Sequence, residues 1–275
     1  VEDVCTGITR ANSAIVYAGY DNKEGSLKAQ MTVRGNAAFD TLCQELDVPF
    51  SRCGSLLVSY DPNANRRLEK KLRQGIRNGV PGLRLLSGPE AQAMEPMLKA
   101  GVTGALYAPS TGTVNPWQLG IAAFENAVDN GVVPMLNNEV THITCENGHY
   151  IIRTNQETIT CNVILNCAGL HADQVQEMLF PPSVRLVPDS AEYMVLDTAA
   201  QKPKHIIFHQ AQSCGKGITA IPCTEGNLLL SGIRTPLNRP FATTMEGIQA
   251  LQHDAKDLLP DIDLTQVIRS FGAVR

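Results

Sequence analysis

The sequence predicts an α/β fold of the α+β kind, helices and strands followed by a mostly antiparallel sheet, arranged in two lobes. Three observations predict it. The 275 residues are enough to bury a large core. Apolar residues recur at helical spacing in several stretches before residue 180. Beyond Val184, short apolar runs follow one another at intervals too close for crossover helices, which is the spacing of an antiparallel sheet.

Taken in order, residues 1–25 are rich in Gly, Asn, Ser and Thr and read as a loop that lies against something, with Ala14-Ile-Val16 as its one apolar run. Gly25 to Leu46 reads as a helix with Leu27, Met31, Phe39, Leu42 and Leu46 as its apolar face. Arg52 to Tyr60 is a strand, and Asn65 to Arg77 a helix stopped by Asn78-Gly79. Ser87 caps a short helix, with Glu90 three residues on as in a capping box. Val102 to Ala108 is a strand. Asn115-Pro116-Trp117 starts a helix, because Asn accepts from free N–H groups and Pro lacks the one it would waste, and Asn130-Gly131 stops it. Strands are expected near 133–136, 139–145, 149–154 and 158–165, with Glu146-Asn-Gly148 as a hairpin turn. The apolar run Val163-Ile-Leu165 then enters Asn166-Cys-Ala-Gly169, which reads as a buried strand, a tight turn and a helix N-terminus running to about Leu179. Such a turn favours an anion, since unpaired N–H groups and the helix dipole converge there. Strands follow at 192–196, 205–208, 217–221 and 227–231, then a helix over 244–259 and a strand from Val267 to Val274.

Composition excludes some classes of function. A net charge of −4 gives no reason to expect a nucleic-acid partner. The basic cluster Arg66, Arg67, Lys70, Lys71, Arg73 and Arg77 shares its stretch with Leu68, Leu72 and Ile76 and reads as the solvated face of a helix. No apolar run reaches the ~18 residues of a membrane span. The acidic start Val1-Glu2-Asp3-Val4 lacks a signal-peptide pattern, so the expected compartment is cytoplasmic, with peripheral membrane contact left open. The eight cysteines form no C-x-x-C pair and are expected to be small buried hydrophobes. His205 and His209 are four apart on an expected strand, roughly 13 Å from each other, too far to share a metal. There is no G-x-S-x-G and no H-E-x-x-H.

Nine segments form an ordered set. They are Thr9-Arg-Ala-Asn-Ser-Ala-Ile-Val-Tyr-Ala-Gly19, Gly25-Ser-Leu-Lys-Ala29, Val33-Arg-Gly-Asn36, Val48-Pro-Phe-Ser-Arg-Cys-Gly-Ser55 and Gly112-Thr-Val-Asn-Pro-Trp-Gln-Leu119. Asn166-Cys-Ala-Gly169, Glu192-Tyr-Met-Val-Leu196, Gly215-Lys-Gly217 and Phe271-Gly-Ala-Val-Arg275 complete the set. Together they resemble the FAD-dependent oxidoreductases of the D-amino-acid oxidase (DAO) superfamily, in the branch of glycerol-3-phosphate dehydrogenases and L-2-hydroxyglutarate oxidases. The resemblance implies an incomplete FAD-binding Rossmann-like lobe, 1–47 with 101–182, and a substrate lobe, 48–100 with 183–275. It implies that Thr9, Asn12 and Ser13 line the FAD diphosphate and ribityl chain, that the Val140 backbone meets the adenine, and that Ala168 and Gly169 form the turn under the diphosphate. It assigns Arg275, and more weakly Tyr193, to a small anionic substrate. A guanidinium suits a carboxylate or phosphate because it forms planar, charge-assisted pairs with either. The implied activity is oxidation of a 2-hydroxy compound, glycerol 3-phosphate first and L-2-hydroxyglutarate second.

Three departures qualify the resemblance. No strand–G-x-G-x-x-G–helix unit is present; the one formal match, Gly215-Lys-Gly-Ile-Thr-Ala220, leads into a β-branched stretch ending in Pro222 and reads as the start of a strand. The chain is therefore expected to be a fragment lacking its first βαβ unit and last cofactor segment, to retain FAD poorly, and to be inert alone. Unpaired edges beside Val163–Asn166 would then favour self-association. Tyr17 stands where relatives commonly have His, and a phenol with a pKa near ~10 is a poor general base, so no catalytic base is assigned. Ser190-Ala-Glu-Tyr193 stands where relatives often read Arg-Gly-Glu-Tyr.

Overall fold

The computed structural model describes residues 1–209, 217–233 and 242–274. After a 3-10 turn over Ile8–Arg10, the chain runs β1 (Ile15–Val16), α1 (Leu27–Glu45), β2 (Phe50–Ser51), β3 (Ser55–Ser59), α2 (Asn65–Arg77), β4 (Arg84–Ser87), α3 (Gly88–Met94), β5 (Gly104–Ala108), β6 (Gly112–Val114) and α4 (Pro116–Asp129). It continues through β7 (Val140–Glu146), β8 (His149–Thr154), β9 (Thr158–Cys161), α5 (Ala172–Glu177), β10 (Ser190–Leu196), β11 (Ile206–His209), β12 (Thr219–Pro222), β13 (Leu228–Ile233), α6 (Met245–Leu258) and β14 (Val267–Val274).

An eight-stranded sheet, in the order β14-β10-β13-β12-β11-β3-β5-β4, is the backbone of the molecule. Every neighbouring pair is antiparallel except β11 and β3, which run parallel with Ile206 beside Ser55 and His209 beside Val58. Strand alternation sorts its side chains. Met194, Leu196, Leu228, Leu230 and Ala220 point to one face, where they meet Leu251, Ala255 and Leu258 of α6 and form the main core. Tyr193, Leu229, Ile221, Ile206 and Ala273 point to the other, where Ala11 and Ile15 of the N-terminal segment cover them. Two three-stranded sheets flank it, β1-β6-β2 and β7-β8-β9.

Local chemistry sets the element ends. Ser26 accepts from Ala29 N at the start of α1, and Asn115 accepts from Trp117 N and Gln118 N at the start of α4. Ser87 and Glu90 complete a capping box on α3. Asn147 and Gly148, both at positive φ (51° and 82°), close the β7–β8 hairpin as a primed turn. The stretch from Gly215 leads into β12, a strand, as its composition predicts; Gly215 and Lys216 themselves lie outside the described residues.

Several expectations are corrected. Val163–Leu165 is not a buried strand: it pairs with no described strand, and Val163 and Leu165 are 72% and 85% exposed. Without a neighbour to hydrogen-bond, an apolar run has neither a ladder nor a face to bury. For the same reason 133–136 forms no strand and β9 ends at Cys161. Among the described cysteines only Cys43 is buried, while Cys145 and Cys167 are exposed on this thinly packed side. In α1 the apolar residues Leu27, Met31 and Leu42 face solvent, and the buried positions are Ala29, Asn36 and Cys43. In α2 the buried positions are Leu68 and Gly75 rather than Ile76, because Gly75 lets Tyr20 and Leu83 close on the helix.

Candidate functional site

On the sheet face opposite α6, the N-terminal segment and the strand ends enclose a cleft of about 190 Å³. Asn12, Ser13 and Tyr17 form its upper wall, and Tyr193, Thr219 and Ala273 belong to its floor. The floor is flat because Tyr193 of β10 and Phe271 of β14 are cross-strand neighbours whose rings stack at 4.7 Å and 4°. A register shift between Glu192 and Tyr193 in the β10–β13 pairing, with Gly232 as the extra residue, bends the strand at this point. Bulges of this kind re-aim side chains near functional sites.

The upper wall is built from its own backbone. Asn12 Nδ2 donates to Thr9 O (2.7 Å) and Ile8 O (3.3 Å), and Asn12 Oδ1 accepts from Ala14 N (2.7 Å). Both ends of the amide are thus used to hold the turn, which brings Ala14 to φ +57°. A non-glycine residue there carries on the order of 1–3 kcal/mol of strain, of the kind that collects at binding sites. Helix α4 supports the segment from outside, through Trp117 Nε1 donating to Arg10 O (3.2 Å) and through Gly120, where a Cβ would lie 2.4 Å from Cys5 Sγ. Tyr17 stacks on Phe208 of β11, centroids 6.0 Å apart at 23°.

The residues picked out in the sequence therefore separate. Asn12, Ser13 and Tyr193 meet in the cleft, with Tyr17 beside them. Thr9 is exposed on the turn that Asn12 holds. Val140 begins β7, half-buried beside a register shift, and does not line the cleft. Ala168 and Gly169 form an exposed turn, which Asn166 ties by accepting from Ala168 N (3.2 Å) and donating to Ala172 O (2.8 Å). Gly169 has φ +57° and nothing within 4 Å of where a Cβ would stand. Arg275 lies outside the described residues; Val274, which it follows, lines the cleft. Among the described lining residues there is no Lys or Arg, and Asp189 is acidic.

The residues suit a dinucleotide flavin at two separate places. The open left-handed turn at Gly169 allows close approach of a phosphate to backbone, and the aromatic floor of the cleft gives a planar ring or small substrate an apolar surface. The cleft alone has room for a small molecule and not for a whole dinucleotide. Other cleft residues, Thr219, Ser231 and Ala273 among them, carry no site role in the sequence, because each is an ordinary strand residue whose place in the cleft comes from the register of strands far apart in the chain. His205, just before β11, and His209, at its end, have partners elsewhere: His205 pairs with Glu95 (Nδ1–Oε2 3.3 Å), and His209 meets Tyr60 edge-on at 5.7 Å.

A family profile described as FAD dependent oxidoreductase, DAO, matches residues 2–275. The chain belongs to the DAO family. Its curated relatives include glycerol 3-phosphate dehydrogenase of Caloramator mitchellensis, 39% identical over 276 residues, covering 99% of this chain and 58% of that protein. They also include human mitochondrial L-2-hydroxyglutarate dehydrogenase, 29% identical over 208 residues, covering 71% of this chain and 44% of that protein. This DAO-family chain thus spans little more than half the length of the first and less than half of the second. Among solved structures it superposes on L-alpha-glycerophosphate oxidase from Mycoplasma pneumoniae with FAD bound at a TM-score of 0.89 and 21% identity, covering all of this chain and 74% of that one. It superposes on glycine oxidase from Geobacillus kaustophilus at 0.85 and 20%, covering 98% and 73%. These likenesses establish the mixed α/β DAO fold, the fold class that the sequence predicted.

Proposed function

We propose that this DAO-family chain is part of a FAD-dependent oxidoreductase that oxidises a small anionic 2-hydroxy compound, glycerol 3-phosphate in the first place. The observation that carries the reading is the meeting of Asn12, Ser13, Tyr17 and Tyr193 around one small cleft whose end strand, β14, leads into Arg275. The relative at 39% identity over nearly the whole chain supports that substrate. The several L-2-hydroxyglutarate dehydrogenases at 26–30% identity support the second reading, a 2-hydroxy dicarboxylate in the same cleft.

In this reading the lobes divide as the sequence suggests, with residues 1–47 and 101–182 toward the flavin and 48–100 and 183–275 toward substrate. Thr9, Asn12 and Ser13 hold the middle of the FAD, Val140 its adenine, and Ala168 with Gly169 its diphosphate. When bound, the flavin supplies the two-electron acceptor for the carbinol hydrogen. The chain's own residues do the rest. Asn12 shapes the turn over the cleft, Tyr193, backed by the stacked ring of Phe271, presents a flat apolar wall, and Arg275 supplies the cation that the described lining lacks. We propose weak retention of FAD, because the Ala168–Gly169 turn is open to solvent, and self-association along exposed Val163 and Leu165. Among the described residues no helix is long and apolar enough to cross a membrane; a cytoplasmic setting is proposed, on the scattered free cysteines.

The test is calorimetric binding of glycerol 3-phosphate, L-2-hydroxyglutarate and glycine to the chain, with dye reduction in saturating FAD beside it. Tightest binding of glycerol 3-phosphate, with Kd raised at least tenfold by Arg275→Ala, is expected, and no turnover by the chain alone. Preference for glycine, or binding of none of the three, overturns the reading.

A further inference from the structure

Tyr17 stands on a short, sparsely bonded piece of chain. β1 is two residues long, pairs only through Ile15–Thr113 and Val16–Gly112, and lies between Ala14 at φ +57° and Gly19 at φ +102°. Val16 and Ala18, 6% and 2% exposed, pack inward on either side of Tyr17, and a polar clamp adds to that packing. Asn36, in the middle of α1 and 6% exposed, points its amide there. Its Nδ2 lies 2.8 Å from Ser110 O, 3.1 Å from Tyr17 O and 3.4 Å from Val16 O. A buried amide in a helix interior is costly unless it is bonded, and this one serves three carbonyls from two other segments.

The orientation of that amide is itself set. Arg52 Nη1 donates to Asn36 Oδ1 (3.1 Å) and to Ser110 O (2.6 Å), and Arg52 Nη2 donates to Asn36 O (2.6 Å). Arg52 Nε donates to Asp40 Oδ2 (2.7 Å), one turn along α1. With the guanidinium on the oxygen side, the NH₂ can face only the carbonyls of 16, 17 and 110. A continuous chain of bonds therefore runs from Asp40 through Arg52 and Asn36 to the main chain of Tyr17, whose ring lines the cleft and rests on Phe208.

We infer that Asn36, locked by Arg52, is the positioning residue for Tyr17, and that Tyr17 so held is a specificity-determining wall of the cleft. The second half rests on the reading of that cleft as the substrate site. Removing the donors of Asn36 frees the segment, lets the Tyr17 ring leave Phe208 and widens the site, without touching the cleft directly. Asp at position 36 keeps the size and can still pair with Arg52 but donates nothing to the carbonyls.

The test uses the whole chain labelled with 3-fluorotyrosine, with the Tyr17 fluorine resonance assigned by Tyr17→Phe. Asn36→Asp is expected to shift and broaden the Tyr17 resonance while leaving that of Tyr193 in place. Calorimetric Kd for glycerol 3-phosphate, measured without added FAD, is expected to rise about tenfold for Asn36→Asp and for Tyr17→Ala, and no further when the two are combined. Arg52→Lys keeps the charge beside Asp40 but loses the fork onto Asn36, so it carries the same test, with a smaller effect, should Asn36→Asp fold poorly. An unmoved Tyr17 resonance, or effects of Asn36→Asp and Tyr17→Ala that multiply, overturns the positioning role. Undiminished binding by Tyr17→Ala overturns the cleft reading and the specificity role with it, while the resonance still judges the clamp.

Discussion

Glu95 is the most exposed to test of the buried charges that hold the large sheet. It follows α3, is 1% exposed, and its Oε2 accepts from Lys204 N (2.8 Å), His205 N (3.3 Å) and His205 Nδ1 (3.3 Å). These donors lie just before β11, the strand that joins the antiparallel set to β3 through the one parallel pairing among the described strands of the sheet. Glu95→Ala leaves two main-chain N–H groups without an acceptor, at about 1–3 kcal/mol each, reduced here because both are only partly buried. Loss of the packed side-chain methylenes adds about 1 kcal/mol. The total is about 3–5 kcal/mol, a fifth or more of the ~5–15 kcal/mol that stabilises a typical domain. Glu95→Gln keeps an acceptor for the backbone and forfeits only the charge, so it costs about 1–2 kcal/mol. Urea unfolding followed by far-UV circular dichroism at pH 7.5 measures both. A loss below 1 kcal/mol for Glu95→Ala refutes the reasoning, and a Glu95→Gln loss equal to that of Glu95→Ala would show that the charge, not the backbone acceptor, matters.

Two further predictions follow from packing. Burial pushes the His209 imidazole below its ordinary pKa, against the opposing pull of Asp257 and Asp254 and with Lys99 adding to the effect. The native state then binds fewer protons than the unfolded one, so this contribution is present above about pH 6.5, the ordinary imidazole value, and is lost as pH falls below it. The urea midpoint is expected to drop between pH 7.5 and 5.5, and His209→Gln to flatten that drop; an unchanged slope in the variant counts against it. Separately, Ile143 is the one buried hydrophobic residue between 115 and 189, so amides of 131–187 are expected to exchange orders of magnitude faster than those of β10, β13 and β12. Added FAD is expected to protect 131–187 selectively, with uniform protection across both regions as the contrary result.

Much of the fold was legible because it is written in local chemistry. The caps Ser87 and Asn115, the Asn147-Gly148 turn and the alternation along β10 each act over a few residues, and the elements they bound lie where the sequence places them. What was not legible depends on neighbours. Val163–Leu165 has the composition of a buried strand, but burial needs a second strand, and none of the described chain supplies it. Of the apolar positions named for α1, Phe39 and Leu46 pack against the core of Val16, Cys43, Val48 and Val114, whereas Leu27, Met31 and Leu42 face solvent on a helix held also by Asn36 and Arg52 hydrogen bonding. The same blindness applied to the site. Asn12, Ser13 and Tyr193 could be given roles from resemblance, whereas Asn36, although it closes the resembling segment Val33-Arg-Gly-Asn36, has no assignable role until its three carbonyl partners, from residues 16, 17 and 110, are seen together.

The two places where the chain suits a flavin therefore differ physically. The cleft sits on a sheet packed on both faces, by α6 behind and by the 8–17 segment in front, so its shape belongs to the most cooperative part of the molecule. The Ala168–Gly169 turn sits in a stretch with almost no core of its own, and its geometry rests on Asn166 and a six-residue helix. A ligand that touched only the cleft would find its site already formed. A dinucleotide bridging both would spend part of its binding energy ordering 131–187, and its apparent affinity would fall by that amount. On the proposed function, substitutions at Gly169 should therefore alter cofactor retention alone, whereas those around Tyr17 and Tyr193 should alter the binding of a small ligand as well.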